Sequence, residues 1–322
     1  MSTRTSEGPW FDELEVGRVF DQAPAMTLTE GRAAAHQAIL GDRLRLPLDD
    51  TLARAVAGAP VAHPAYVWNV AIGQSTLATQ HVKANLFYRD LTLLRQPVIG
   101  DTLRTVTTVV GLRENTRRGG RVPTGLAALH MRTEDQHGRA VLDFYRCAML
   151  PLRGDAPTGH ADDLGSVGSG GPRDVGRSVA EWDLGPFRGV HGEPEEPGDG
   201  DVVVVHGGDV VTSAPELARL SLNMAAVHHD ERAGGGRRLV YGGHTIGLAL
   251  AQVGRAFPGL VTVLAWEGCD HTGPVHEGDT LRSRITVGAV RPGAGGLLVD
   301  LRSEVTADEG RDVLNWRFTA LF

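Results

Sequence analysis

The chain has 322 residues, a formal net charge of −7, and a composition of 41% hydrophobic and 22% charged residues. This length is typical of two domains, and the composition is that of a soluble globular protein. The acidic balance argues against a nucleic-acid or anionic-membrane partner, and no segment approaches the roughly 20 apolar residues of a membrane-spanning helix.

The number of cysteines and the N-terminal residues indicate the cellular compartment. Cys147 and Cys269 are the two cysteines of the chain and lie far apart, which excludes a disulfide scaffold and a cysteine-rich zinc site. Residues 1–10 carry charges and no apolar run, so no signal peptide is expected. The sequence therefore favours a reducing, cytoplasmic location.

The first half of the chain predicts two helices followed by four strands. Thr29 can cap a helix over residues 29–39. The run 65–78 is apolar around most of its circumference, which predicts a buried helix. Alternating apolar and polar residues then predict strands at 85–94, 102–113, 122–133 and 141–150.

The second half predicts the same order of elements. Ser213 and Glu216 have the spacing of a capping box, so we expect a helix from Ser213 to about Val227. A mostly apolar helix is expected over 243–257, ended by Pro258. Strands are predicted near 260–266, 280–290, 296–306 and 313–322.

The halves also share sequence. The pentapeptide GDTLR at 100–104 returns at 278–282, 178 residues later. Further pairs keep a similar spacing, namely Thr29 with Thr212, His63 with His244, and 141–144 with 313–316. Several matches in one order indicate a duplicated domain. We therefore assign an N-terminal domain to 1–152, a flexible linker to 153–178 and a C-terminal domain to 179–322.

One packing solution suits each half. A long apolar helix followed by antiparallel strands can be buried if the helix lies across a curved sheet that wraps it. This arrangement belongs to the α+β class and is hotdog-like. Two copies predict a double hotdog.

The stretch from Asn223 to Gly243 holds the candidate catalytic groups. His228 can take or give a proton near neutral pH, and Asn223, five residues earlier, can orient a water with its amide. Gly242 and Gly243 stand where the apolar helix begins, where free N–H groups could polarise a thioester carbonyl. These pieces suit addition of water across an α,β-unsaturated thioester, although a histidine or a Gly-Gly turn alone is common without such a role.

Neighbouring polar residues are candidates for substrate binding. Tyr241 and His244 flank the two glycines. Arg237 and Arg238 could meet phosphates, although exposed arginines are common on surfaces.

The first half lacks the pair that the second half carries. Asp42 is followed five residues later by Pro47 rather than by a histidine. We therefore expect the N-terminal domain to be catalytically degenerate and to shape the ligand site, with His63 and Tyr66 as candidate contacts.

At these residues the sequence resembles the MaoC-like hydratase/dehydratase superfamily, whose motif places an acidic residue and a histidine five apart before a glycine at a helix start. Asn223, His228 and Gly243 stand at those positions. Within it the chain is most similar to the tandem mesaconyl-CoA hydratase subfamily, which also has Asn at the acidic position. Further matching segments are 11–17, 29–32, 100–104, 111–115, 223–228, 237–244 and 271–272.

The resemblance implies reversible hydration of mesaconyl-CoA to β-methylmalyl-CoA. It implies that His228 is the general base and acid, that Asn223 orients the water and that the Gly243 N–H polarises the thioester. Tyr241 and His244 are then candidates for the acyl carboxylate. It implies no metal or organic cofactor beyond the CoA of the substrate, and a homodimer.

Three other functions are compatible with the residues. A hotdog thioesterase needs a carboxylate where Asn223 stands, which disfavours it. A dehydratase of carrier-protein-bound acyl chains could use the same residues. A non-catalytic acyl-CoA-binding subunit would have no need of His228 and Asn223.

Overall fold

The computed structural model describes residues 7–172, 174–191, 196–308 and 310–322. The N-terminal half contains the helices α1 (Glu30–Leu40), α2 (Arg45–Leu48), α3 (Asp50–Ala57) and α4 (Pro64–Gln74). Its strands are β1 (Val19–Phe20), β2 (Met26–Thr27), β3 (Ala84–Leu93), β4 (Thr102–Glu114), β5 (Thr124–Glu134) and β6 (Ala140–Pro151). The helices α2 and α3 were not predicted from the sequence.

The C-terminal half repeats this order. Its helices are α5 (Gly185–His191), α6 (Ala214–Leu220) and α7 (Gly242–Ala256). Its strands are β7 (Val202–Val204), β8 (Asp209–Val210), β9 (Thr262–His271), β10 (Thr280–Gly293), β11 (Gly296–Ala307) and β12 (Arg311–Leu321). All eight long strands and both apolar helices that the sequence predicted are confirmed within a few residues, apart from β9, which runs five residues further than expected.

A single antiparallel sheet joins the halves. The strand order is β1-β4-β5-β6-β3-β9-β12-β11-β10-β7, with β2 and β8 attached to β4 and β10. The pairing of β3 with β9, for example Tyr88 opposite Cys269, forms the junction. Helices α4 and α7 pack against each other within the sheet, and one hydrophobic core runs through both halves. The architecture is the expected α+β double hotdog.

Equivalent contacts in the two halves confirm the duplication. The Gln74 side chain donates from Nε2 to the Leu103 carbonyl at 3.0 Å, and Gln252 does the same to Leu281 at 2.9 Å. Each of these glutamines therefore fixes its buried helix to the equivalent strand of its own half.

The helix predicted from Ser213 to Val227 is wrong in length and in its cap. Helix α6 ends at Leu220, and a separate 3-10 turn covers Ala226–His228. The expected capping box does not form, because Ser213 adopts φ 55° and its side chain makes no cap hydrogen bond. The Ala214 N–H donates instead to the Glu277 carboxylate at 3.1 Å, so a distant side chain replaces the local one.

The segment 153–178 differs from the flexible linker that its composition indicated. The Asp162 N–H donates to the Leu112 carbonyl at 3.0 Å. Leu164 is buried in a small apolar cluster with Phe87 and Cys147 on the outer face of the sheet. These contacts hold the described part of the segment against the N-terminal half.

In the part of the chain that the structure describes, no helix has the length and apolar character needed to span a membrane.

Candidate active site

A cavity of about 290 Å³ lies where the two halves meet. The C-terminal half contributes the turn after α6, the start of α7 and the end of β9. The N-terminal half contributes Thr76, the segment before β3, the first part of β3 and one residue of β6. Its polar lining residues include Thr76, Asn85, Tyr88 and Arg146 from the first half, and Asn223, His228, Tyr241, Thr245 and His271 from the second.

His228 is held as a neutral base in this cavity. Its Nδ1 lies 2.7 Å from the Leu239 carbonyl, and since a carbonyl can only accept, Nδ1 carries the proton and Nε2 keeps its lone pair. Burial lowers the pKa of His228 to about 4, partly opposed by the Leu239 hydrogen bond. The imidazole is therefore unprotonated at neutral pH and able to accept a proton.

Asn223 lines the same cavity and is fixed by its own turn. Its Oδ1 accepts from the Ala225 N–H at 2.9 Å, and its backbone carbonyl accepts from His229 Nε2 at 2.7 Å. The carbonyl end of the amide is thus engaged, which leaves the NH₂ group as a donor. A donor can hold a water by its oxygen while a base removes one of the water's protons.

The start of α7 borders the cavity at Gly242. A Cβ atom there would lie 2.6 Å from His271 Nε2, and a Cβ atom at Gly243 would lie 2.0 Å from Asn69 Oδ1 and 2.6 Å from the Tyr241 ring. A larger residue at either position would therefore have to displace a neighbouring side chain, whether or not a ligand is bound. Gly242 lines the cavity, whereas Gly243 is not among its lining residues and faces Asn69.

Of the two residues expected to bind the acyl carboxylate, the structure brings one to the cavity. Tyr241 lines it, and its hydroxyl donates to the Asn69 carbonyl at 3.4 Å. Burial raises the pKa of Tyr241 well above its usual value. His244 is fully buried outside the lining, and neither of its ring nitrogens has a hydrogen-bond partner among the described residues.

The candidate arginines near the cavity have partners outside it. Arg238 Nη2 pairs with Glu277 at 2.7 Å, and Arg237 Nη2 lies 3.8 Å from Asp279. Neither is in the cavity lining, although Leu239, the next residue, is.

His63 and Tyr66 lie at the start of α4, away from this cavity. His63 Nε2 is 3.1 Å from Asp42 Oδ1, and the Tyr66 ring packs beside His36 with centroids 5.3 Å apart. Both belong to a buried polar group in the N-terminal half.

Sequence reasoning missed the polar residues of the sheet that face the cavity. His271 is half-buried, its Nε2 atom is shielded from solvent and has no hydrogen-bond partner, and desolvation lowers its pKa to about 4. Tyr88 and Arg146 are paired across β3 and β6. The sequence could have indicated Arg146, because it stands at an inward position of β6 between the core residues Phe144 and Ala148, where a charged residue is unusual.

Comparison with known proteins finds two curated relatives that match most of the chain. It is 31% identical to the mesaconyl-CoA hydratase of Cereibacter sphaeroides over 332 residues, covering 99% of this chain and 90% of the relative. It is 28% identical to the β-methylmalyl-CoA dehydratase of Chloroflexus aurantiacus over 297 residues, covering 87% of this chain and 82% of that protein. No family model matches the chain.

Solved structures agree on the fold. The Rv0216 protein of Mycobacterium tuberculosis, described as having a double hotdog fold, is 54% identical with a TM-score of 0.93 over 98% of both chains. A MaoC domain dehydratase from Chloroflexus aurantiacus is 24% identical with a TM-score of 0.87, covering 100% of this chain and 99% of the other.

Proposed function

The chain belongs to the mesaconyl-CoA hydratase family of MaoC-like double-hotdog proteins, and we propose from this premise that it adds water reversibly to mesaconyl-CoA to give β-methylmalyl-CoA. The observation that supports this most is the His228 imidazole. Burial keeps this imidazole neutral, and the Leu239 carbonyl fixes its tautomer, on a cavity that it shares with Asn223 and the start of α7.

In the proposed reaction, the Asn223 amide donates to the oxygen of a water, and His228 Nε2 takes one of its protons. The water oxygen forms a bond to the carbon that bears the carboxylate. The electron pair of the double bond moves toward the thioester oxygen, where the free N–H groups at the start of α7, that of Gly243 among them, stabilise the enolate. The proton on His228 then passes to the methyl-bearing carbon, so that the base is regenerated.

We propose that this reaction needs no metal or organic cofactor. The hydrogen that is added and removed sits next to the thioester carbonyl, which acidifies it, and a positioned histidine can carry it. The CoA group enters only as part of the substrate.

The first test replaces the base. General acid–base catalysis contributes about 10²- to 10⁴-fold, so His228→Gln should lower kcat by that factor. The measurement is the ultraviolet loss of the enoyl thioester of mesaconyl-CoA. The exposed His206 offers a matched control, and His206→Gln should keep the wild-type rate. Full activity in a folded His228→Gln protein would refute the assigned role.

A panel of substrates and a measurement of free thiol separate the alternatives. Crotonyl-CoA and itaconyl-CoA test the acyl group, and carrier-protein thioesters test the thiol. Release of free CoA without loss of the double bond would indicate a thioesterase instead.

A further inference from the structure

We propose that Arg146, from the N-terminal half, binds the carboxylate of the acyl group and selects dicarboxylic acyl thioesters. This inference rests on the proposed function, because it names the residue that would recognise the second carboxylate of its substrate. It assigns to a sheet residue the task that the sequence suggested for Tyr241 and His244.

Arg146 is a buried cation on the cavity wall. Its side chain is 3% exposed, yet it lines the cavity with His228 and Asn223. It stands at the inward face of β6, so the rigid centre of the sheet fixes its direction. A strand position of this kind holds a recognition group more firmly than a loop does.

The guanidinium is only partly satisfied by protein groups. Nη2 donates to the Thr79 hydroxyl and to the Ser75 carbonyl, the latter at 3.5 Å, while Nε is buried without a hydrogen-bond partner. The titratable side chains with the largest effects on its charge are Tyr88, which also hydrogen-bonds to it, Tyr241 and Cys147, and none of these is a carboxylate. A buried cation without an anion is costly, and a bound carboxylate would supply both the charge and the acceptors.

The position also suits the shape of the acyl group. The thioester carbonyl is proposed to face the start of α7, in the second half. In mesaconyl-CoA the carboxylate is attached to the carbon that receives the water, so it must lie beside His228 and Asn223. Arg146 lines the same cavity from the first half and is close enough for its charge to act on His228. The first half, which lacks its own histidine, would thereby contribute the specificity group of the site.

Binding of unreactive ligands tests this separately from catalysis. Succinyl-CoA and butyryl-CoA have four-carbon saturated acyl groups that differ at the terminal carbon, a carboxylate in one and a methyl in the other. The protein should bind succinyl-CoA about 10- to 100-fold more tightly, as measured by calorimetry, because hydrogen bonds to a buried charge have that value. Arg146→Gln should abolish this preference and leave butyryl-CoA binding within about twofold, since its loss removes no contact to the methyl group.

Two further variants keep the outcome decisive. Lys83 is an exposed cation at the cavity wall, and Lys83→Gln should leave the preference for succinyl-CoA intact. Arg146→Lys keeps the charge but not the forked donors, so it should reduce the preference and serves if Arg146→Gln does not fold. The proposal would be overturned if the Arg146 variants lost affinity for succinyl-CoA and butyryl-CoA equally. It would also be overturned if the unaltered protein bound the two ligands equally well. A protein that shows the preference but hydrates no enoyl-CoA would refute the proposed function alone.

Discussion

At the residue scale, the neutral amide of Asn223 leaves burial in control of the His228 pKa. Desolvation is the largest cause of the lowered pKa, to about 4, and the charges of His229 and Arg146 act in the same direction. A carboxylate at position 223 would do the opposite, because a nearby anion favours the imidazolium form. The identity of this one side chain therefore sets the pH range over which His228 is a base.

Asn223→Asp tests this control. The Asp variant can still accept from the Ala225 N–H but adds a negative charge to the cavity wall, so the pKa of His228 should rise. Hydration needs the unprotonated imidazole, and activity is lost as pH falls through that pKa. We expect kcat/KM of the unaltered protein to stay flat from pH 8 to about pH 5, and the acid limb of the variant to move at least one pH unit upward.

The control is an Asn→Asp substitution at a position outside the cavity. Asn315 lies on β12, where its side chain accepts from Arg302 at 3.0 Å, and Asn315→Asp should not move the limb. An Asn223→Asp profile that overlays the wild-type profile would show that the amide does not act on His228.

At the scale of elements, the turn at Asn223 in the second half has an equivalent at Asp42 in the first half, and the two turns contact different residues. Asp42 Oδ1 accepts from the Leu44 N–H at 2.6 Å, as Asn223 Oδ1 accepts from the Ala225 N–H at 2.9 Å. In the second half the turn leads to His228 and the cavity. In the first half Asp42 instead meets His63 at the start of α4, so the equivalent turn ends in a buried pair rather than at an accessible base.

The start of α7 is positioned by helix α4, and Gly243→Ala tests that contact. An added Cβ atom would lie 2.0 Å from Asn69 Oδ1, so the two helices must shift or Asn69 must turn. Overpacking of this kind costs about 1–3 kcal/mol of folding free energy. We expect a lower midpoint of thermal unfolding and a reduced kcat, because the N–H groups at the helix start would move.

Gly31 in α1 provides the matched control. A Cβ atom there would meet nothing within 4 Å, so Gly31→Ala should be neutral or stabilise by about 0.5–1 kcal/mol through helix propensity. If Gly243→Ala unfolds at the same temperature as Gly31→Ala, the packing of α4 on α7 is not what requires glycine.

At the scale of the whole molecule, the shared core contains several histidines that cannot easily be charged. Burial lowers the pKa of His228, His244 and His271 to about 4 each and that of His36 well below its usual value. The unfolded chain would bind protons at these sites from about pH 6.5 downward, whereas the folded chain would not. Stability is therefore complete above pH 6.5 and falls as pH drops toward 4.

We expect the free energy of unfolding, measured with denaturant, to fall between pH 6.5 and 4.5. The four histidines together give a slope that approaches about 5 kcal/mol per pH unit. Carboxylates of lowered pKa act at lower pH: the Thr158 and Arg117 contacts lower the pKa of Glu114 from 4.5 to about 2, so its contribution is lost only below pH 4.5.

Replacing His244 tests the contribution of one histidine to this pH dependence of the free energy of unfolding. Its ring nitrogens have no hydrogen-bond partners among the described residues, so His244→Leu leaves no polar group orphaned there. The variant should lower the slope by about a quarter. Equal stability of the unaltered protein at pH 7 and pH 5 would contradict the assignment.

How far the sequence predicts the site depends on how local each feature is. Asn223 and His228 are five residues apart, and their chemistry could be recognised together. Gly242 was placed correctly at the helix start, but its need for glycine comes from His271, on a distant strand. His244 and His63 have side chains that could bind substrate, but neither lines the cavity. The direction of a side chain at a helix start depends on the neighbouring helix, which the local sequence does not reveal.

The sequence by itself determined the duplication, the eight long strands, the two buried helices and the residues that could act on a thioester. These follow from periodicity and residue chemistry, which are properties of neighbouring residues. Only the tertiary structure decided that Arg146 shares a cavity with His228, and that His244 and His63 do not. The pairing of β3 with β9 and the packing of α4 on α7 bring together residues far apart in the chain, and no local pattern carries that information.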